Sequence, residues 1–156
     1  MMTAHSAIYP YLTFANTKEA LAYYQTVFDA QNIVRLPVTA AAAQAMQVPS
    51  GVDFSQLTMH AAFTILGEWL YAADNFEQNQ HLTNSTRLLL DIDSDDAQKS
   101  ATAQALYDRL MREPTIKIDM PLADQGWGAK LGMFTDKYQI QWMLQLRSWS
   151  QPNPGA

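Results

Sequence analysis

The sequence contains no cysteine, and this absence excludes several kinds of chemistry at once. Without thiols the chain forms no disulfide, offers no thiolate nucleophile and builds no cysteine-based metal site. It also lacks a Ser-His-Asp order, a phosphate-binding glycine-rich loop and an HExxH pair. No local motif therefore names an enzyme class. A cysteine-free chain fits the reducing cytoplasm, and we predict a cytoplasmic protein.

Positive charge is scarce as well. Ten lysines and arginines stand against fifteen aspartates and glutamates, so the net charge is −5. This balance argues against nucleic acid and anionic membranes as partners. No apolar run approaches the roughly 20 residues that a membrane-spanning helix needs, so we predict no membrane association. The first residues, MMTAHSAIYPYLTF, do not combine a basic segment with an apolar one, and no secretory signal is predicted.

What the chain does contain is apolar material for a core, since 48% of its 156 residues are hydrophobic and 16% are charged. Its hydrophobic pattern divides it into two halves with the same order of elements: strand, helix, strand, strand, strand. In the first half we predict these elements at 7–14, from Asn16 onward, 33–38, 56–66 and 68–73. In the second half we predict them at 86–93, 95–112, 116–122, 130–135 and 139–146.

Three segments lie outside this pattern. Residues 39–55 hold an alanine run that favours a short helix, followed by Pro49 and Gly51, which break it. We interpret this excursion as a lid or a solvated loop. Residues 75–85 are polar and rich in turn formers, and we predict a linker there. Residues 148–156 contain two prolines and a glycine, and we predict a frayed tail.

Alternation along the strands assigns side chains to two faces. Leu57, Met59, Ala61, Phe63 and Ile65 share an apolar face that we expect to pack on a helix. The opposite faces of the strands would line a trough. The side chains that we predict on the trough side are Tyr9, Tyr11, Thr13, His60, Trp69, Tyr71, Arg87, Gln141 and Met143.

The most informative stretches are YPYLTFANTKEALAYYQTVFDA (9–30), MHAAFTILG (59–67) and DMPLADQGWGAKLGMFTDKYQIQWMLQL (119–146). Together they resemble the vicinal oxygen chelate superfamily of glyoxalases, bleomycin- and fosfomycin-resistance proteins and dioxygenases, and within it the PhnB-like branch. The resemblance implies an α+β fold in which two βαβββ modules form curved mixed sheets with helices on the convex side. It implies a single glyoxalase-like domain over 1–156, with module one at about 5–74 and module two at about 86–147. It also implies a homodimer and a site in the trough.

In metal-using relatives, His, Glu or Gln side chains project from the first and last strand of each module. The corresponding positions here fall near Tyr9, Tyr71, Arg87 and Met143. None of these suits a divalent metal, and an arginine opposes a cation. We therefore predict that the usual metal site is missing and that the protein needs no metal or other cofactor.

His60 is the candidate catalytic residue, since it points into the predicted trough. A neutral imidazole there could bind ligand, act as a general base or supply one metal bond, and the alternative is a hydrogen-bonded structural histidine. His5 and His81 fall in the N-terminal segment and the linker, where we expect them to be solvated.

Two tryptophans occur in the closing hairpin. Trp127 lies between two glycines and is either an aromatic wall for a planar ligand or an anchor that closes the hairpin over the core. Trp142 alternates with Ile140 and Leu144, which predicts core packing. Gln141 would orient a ligand, and Met143 would give the trough an adaptable apolar surface.

The acidic run DIDSDD, residues 91–96, lacks the glycine and the distant glutamate of a calcium loop. We interpret it as the capped, acidic start of the second helix, with Asp93 or Ser94 as the cap. The buried stripe that we predict on this helix consists of Ala103, Leu106, Tyr107, Leu110 and Met111.

Three hypotheses for function follow. The first is a binder of a small aromatic or amphipathic molecule in the trough, with an anionic group facing Arg87. The second is a divalent-metal-dependent lyase, isomerase or dioxygenase that uses His60. The third is a subunit used mainly for assembly, whose trough is filled by its own side chains. The residues leave open whether any catalysis occurs.

Overall fold

The computed structural model describes residues 6–76 and 85–150. The chain divides into two compact units, Met1–Gln80 and His81–Ala156. Most of the predicted linker, the last six residues of the predicted tail, His5 and His81 lie outside the described residues. In the part of the chain that is described, no helix is long and apolar enough to cross a membrane.

The first unit contains one mixed sheet of four strands. In chain order its elements are β1 (Tyr11–Phe14), α1 (Thr17–Val27), β2 (Gln31–Pro37), α2 (Ala40–Ala45), a 3-10 turn (Phe54–Gln56), β3 (Thr58–Ile65) and β4 (Glu68–Asp74). The strand order is β1-β4-β3-β2, in which β1 is parallel to β4 and the other neighbours are antiparallel.

The second unit repeats this design with the elements β5 (Leu88–Asp93), α3 (Ala97–Met111), β6 (Lys117–Asp124), β7 (Ala129–Thr135) and β8 (Gln141–Arg147). The strand order is β5-β8-β7-β6, with β5 parallel to β8. The predicted α+β class, with two βαβββ modules, is thereby confirmed.

The first helix follows directly from local sequence signals. The Asn16 side chain accepts a hydrogen bond from the Glu19 backbone N–H at 3.2 Å and caps the helix start. Tyr24, on the buried stripe of α1, stacks on Phe63 of β3 with ring centroids 5.5 Å apart. The helix thus covers one face of the first sheet and leaves the other face open.

The first strand is shorter than predicted. It begins at Tyr11, because Pro10 has no N–H to give to the ladder, although its carbonyl accepts from the Tyr71 N–H at 3.0 Å. Ile8, within the predicted strand range 7–14 but before the observed strand, is 99% exposed.

Strand β3 also departs from simple alternation. Leu36 pairs with His60 but Pro37 pairs with Thr58, so Met59 is an extra residue in a bulge. The bulge turns Met59 outward, to 43% exposure, and leaves Thr58 fully buried, where it accepts from the Arg35 guanidinium at 2.8 Å. The predicted apolar position of Met59 is wrong for this reason.

Helix α3, the helix of the second unit, starts later than predicted. Its cap is Asp96, which accepts from the Lys99 N–H at 3.0 Å, in place of Asp93 or Ser94. Met111 at the last turn is 54% exposed and does not join the buried stripe. The remaining predicted members of that stripe are buried: Ala103, Leu106, Tyr107 and Leu110.

The hairpin of the first unit turns through two residues, Leu66 and Gly67, whose φ angles are +52° and +83°. This backbone is typical of a type I′ turn, which favours Asn-Gly. Leucine in the left-handed region is strained by about 1–2 kcal/mol, and asparagine tolerates it better. We expect Leu66→Asn to raise the free energy of unfolding by about 0.5–1 kcal/mol, measured by urea denaturation. Leu66→Ala, which keeps the β-carbon, should show no gain, and equal stability of the two variants would contradict this explanation.

Candidate functional site

The open face of the first sheet carries an aromatic row. Strand pairing places Tyr11, Tyr71, Ala62 and Val34 side by side across all four strands. Paired residues on neighbouring strands project to the same face, so these side chains are neighbours on the side that α1 does not cover. His60 projects to this face too, two residues before Ala62.

Four of the predicted ligand-binding residues meet here, and we call them the tyrosine–histidine cluster: Tyr9, Tyr11, His60 and Tyr71. The rings of Tyr9 and Tyr71 meet edge to face, with centroids 4.9 Å apart. The ring of His60 lies 5.4 Å from Tyr71, and its Nδ1 is 3.1 Å from the Tyr11 hydroxyl. The structure therefore brings these four residues together and gives each a defined orientation.

This cluster is not enclosed. Tyr9 is 47% exposed and Tyr11 is 53% exposed, and Trp69, two residues before Tyr71 on the same strand, is 42% exposed. Val34 and Leu36 on the edge strand are exposed to a similar degree. A contiguous exposed surface of this kind on a folded protein is typical of a binding surface.

Ala62 carries the smallest side chain of this row. Its neighbours across the strands are Tyr71 and Val34, and His60 precedes it on the same face. A methyl group between such larger side chains leaves a shallow hollow with aromatic and aliphatic walls. A planar ring placed there would contact Tyr71 and His60.

The open face of the second sheet has a different chemistry. Arg87 donates from Nε to the Gln141 side-chain oxygen at 3.1 Å, and its Nη1 lies 3.3 Å from the Met133 sulfur. Met133 pairs with Met143 across the strands, and Met143 pairs with Leu89. The predicted residues Arg87, Gln141 and Met143 thus share one face, which consists of a cation held beside flexible apolar side chains.

One feature of this second face was missed by the sequence analysis. Asp91 projects from β5 to the open face and forms an ion pair with Arg147 at 2.8 Å, and it also accepts from Gln145 at 3.1 Å. Asp91 is therefore not part of the helix start. Alternation with Leu90 and Ile92 indicated its face, but nothing local indicated a partner 56 residues away.

Trp127 lies apart from these groups. It belongs to the turn between β6 and β7, next to Ala129, which pairs with Arg147 at one end of the sheet. Arg87 and Gln141 are at the other end, about 20 Å away along the strands. The indole is 51% exposed, so Trp127 does not anchor the hairpin over the core. Trp142 does pack in the core as predicted, with 1% exposure.

The residues of the described ranges do not fit a divalent-metal site. In residues 6–76 and 85–150, no three His, Asp or Glu side chains are close enough to share an ion. One nitrogen of His60 already has Tyr11 as its partner, and Arg87 carries a positive charge near one of the four positions at which the sequence resemblance implies metal ligands.

The excursion at 39–55 is ordered by local caps. Thr39 caps α2 and Asp53 caps the 3-10 turn. Hydrogen bonds from the Ser55 hydroxyl and backbone N–H hold the pKa of Asp53 below its usual value. Asp53 is therefore a turn-forming carboxylate and not a candidate acid or base. The short helix predicted from the alanine run is confirmed as α2.

Comparisons with known proteins agree with this architecture. Protein YjdN of Escherichia coli (strain K12) is 27% identical over 143 residues, which cover 88% of this chain and 92% of YjdN. Protein PA1353 from Pseudomonas aeruginosa superposes with a TM-score of 0.63 at 26% identity, over 92% of this chain and 99% of its own. No protein-family model matches the chain.

Two further solved structures share the fold at lower identity. The PhnB protein from Bacillus cereus has a TM-score of 0.58 at 23% identity, over 90% of this chain and 99% of its own. A glyoxalase/bleomycin resistance protein/dioxygenase from Nocardioides has a TM-score of 0.54 at 16% identity, over 97% and 90%. The two βαβββ modules and these neighbours together give the chain a glyoxalase-like fold, in agreement with the sequence resemblance to the vicinal oxygen chelate superfamily.

Proposed function

We propose that the protein binds a small planar aromatic or amphipathic molecule on the open face of its first sheet, without a metal ion. The observation that carries this proposal is the tyrosine–histidine cluster, whose rings are mutually oriented while Tyr9 and Tyr11 remain about half-exposed. Trp69 extends the same surface.

The energetics of the cluster favour a planar ligand. Ring contacts already hold Tyr9, Tyr71 and His60 in place, so a ligand orders few additional torsions when it binds. Each Å² of apolar surface that the ligand covers contributes about 25 cal/mol. Aromatic pairs add about 0.5–1.5 kcal/mol each when their geometry is offset or edge to face.

The open face of the second sheet is a separate candidate surface, on which Arg87 provides a positive charge for an anionic ligand. Gln141 and Met133 hold the Arg87 guanidinium from one side, and Arg87 remains exposed. A guanidinium in this state can pair with a carboxylate through its remaining N–H groups. We propose this role for Arg87, with Met143 as adaptable apolar surface.

The alternatives are weaker for this chain. A metal-dependent lyase, isomerase or dioxygenase needs partners for His60, and within the described residues His60 has tyrosines beside it. An assembly subunit with a filled face would not leave Tyr9, Tyr11 and Trp69 half-exposed. We also propose a cytoplasmic homodimer, on the absence of cysteine and on the family resemblance.

The proposal is tested with naphthalene as a neutral ring probe, using thermal unfolding and isothermal titration calorimetry. We expect naphthalene to raise the melting temperature and Trp69→Ala to weaken its binding about tenfold, or ~1.4 kcal/mol. The matched control is Trp149→Ala, which removes an indole of similar exposure, 55% against 42%, from the second unit. Absence of any thermal shift with naphthalene and related aromatic probes, or equal losses in the two variants, would contradict the proposal.

A second measurement tests the proposed role of Arg87 in binding an anionic ligand. We expect 2-naphthoate to bind the open face of the second sheet about five- to tenfold more tightly than naphthalene does there, since an arginine–carboxylate contact adds about 1 kcal/mol or more. Arg87→Ala should remove this difference and leave naphthalene binding unchanged. Arg112→Ala removes the same charge from the exposed end of α3 and serves as control. If both variants reduce 2-naphthoate binding equally, only net charge matters and the role of Arg87 is wrong.

A further inference from the structure

The two ring nitrogens of His60 have different surroundings. The Tyr11 hydroxyl lies 3.1 Å from Nδ1, within hydrogen-bond distance. The other nitrogen, Nε2, makes no hydrogen bond to any group of the described residues, and it is the ring nitrogen farther from the backbone. His60 itself is partly exposed on the open face.

The chemistry of the pair determines which atom donates. A phenol is a better donor than acceptor, because its oxygen lone pair is delocalised into the ring. An unprotonated imidazole nitrogen is a good acceptor. The favoured arrangement therefore has the Tyr11 O–H donating to Nδ1. A neutral imidazole carries a single N–H, which must then be on Nε2.

We infer that Tyr11 holds neutral His60 with its proton on Nε2, and that this N–H is a directed donor for a ligand on the tyrosine–histidine cluster. This inference rests on the proposed function and narrows the ligand class. The ligand is a planar aromatic molecule that carries a neutral oxygen acceptor, such as a ring carbonyl, at its edge.

The tyrosine rings and the imidazole N–H of the cluster have different roles in ligand binding. The faces and edges of Tyr9 and Tyr71 set the plane of the ligand ring, and the Nε2–H of His60 sets which edge of the ligand approaches β3. A hydrocarbon ring in the same position would cover the Nε2–H without offering it an acceptor, which is unfavourable. Discrimination between rings with and without a carbonyl therefore comes from His60, with Tyr11 as its positioning residue.

The tautomer is tested on the ligand-free protein by ¹⁵N NMR of the histidine side chains, at a pH about two units above the usual imidazole pKa of about 6.5. The spectrum of His60→Gln assigns the signals of His60 among the three histidines. We expect a protonated-type shift for Nε2 and an unprotonated-type shift for Nδ1. The reverse pattern would overturn the inference.

The ligand class is tested with two fused-ring probes of similar size, coumarin with a ring carbonyl and naphthalene without one. We expect coumarin to bind the wild-type protein about tenfold more tightly. His60→Gln, whose amide reaches the Nε2 position, should keep much of this preference, whereas His60→Asn and Tyr11→Phe should lose it and still bind naphthalene.

The outcomes separate the two proposals. If neither probe binds, the proposed function fails, and the NMR result still decides the tautomer. If naphthalene binds as tightly as coumarin, the proposed aromatic binding site is supported, and the inference that the ligand carries an oxygen acceptor for His60 is overturned. If His60→Asn keeps the preference for coumarin, the donor is not at Nε2, and the inference is overturned.

Discussion

Replacing Asp136 with alanine is expected to lower the free energy of unfolding by about 3 kcal/mol, one of the largest losses that a single substitution should cause in this chain. The Asp136 side chain is 2% exposed. One of its oxygens accepts from the Tyr138 and Ile140 backbone N–H groups at 2.8 and 3.1 Å, and the other accepts from the Trp142 indole N–H at 3.0 Å. Alanine leaves the buried indole N–H and the two part-buried backbone N–H groups without this acceptor. Urea denaturation followed by circular dichroism measures the loss.

Asp136→Asn distinguishes this mechanism from a general effect of mutating a buried residue. An asparagine oxygen can still accept from the Tyr138 and Ile140 N–H groups, but its NH₂ group would then face the Trp142 indole N–H, and two donors repel. We expect the penalty of Asp136→Asn to shrink in a Trp142→Phe background, where the indole donor is gone. Strictly additive losses in the double variant would show that the indole contact is not the reason.

Replacing Ala62 with leucine is expected to weaken naphthalene binding more than tenfold, or above ~1.4 kcal/mol, and to leave stability almost unchanged. The new side chain would fill the hollow between Tyr71 and Val34. Because this face is open, the larger side chain meets no packed core, and leucine is tolerated in a strand. Calorimetric titration measures the affinity, and thermal unfolding checks the fold.

The matched control for this substitution is Ala101→Leu, which adds the same side chain at an exposed position of α3. Its affinity for naphthalene should equal that of the wild-type protein. Unchanged binding in Ala62→Leu would show that the ligand does not use the hollow of the first sheet. A large loss of stability in Ala62→Leu would mean that this face is more tightly packed than the half-exposure of its tyrosines indicates.

Local features were predictable from the sequence because their causes are local. The cap at Asn16, the short helix in the alanine run and the burial of Trp142 each depend on residues within a few positions. The strand-helix-strand-strand-strand order, the α+β class and the aromatic character of the first open face follow from the same short-range patterns.

Other features depended on the register of strand pairing, which the hydrophobic periodicity of the sequence does not specify. One bulged residue in β3 reversed the expected sides of Thr58 and Met59. The ion pair between Asp91 and Arg147 joins two residues that are 56 positions apart in the sequence. The burial of Asp136 against Trp142 also required the closed hairpin.

Outside the bulge in β3, the sequence by itself indicated which side chains face outward from each sheet, since alternation is a property of the strand. The tertiary structure decided which of them meet. Tyr11 and His60 are separated by 49 residues, and only the order β1-β4-β3 brings the hydroxyl to the ring nitrogen. The physical reason is that strand pairing is set by the sum of many backbone hydrogen bonds and core contacts over the whole sheet, and no short segment encodes that sum.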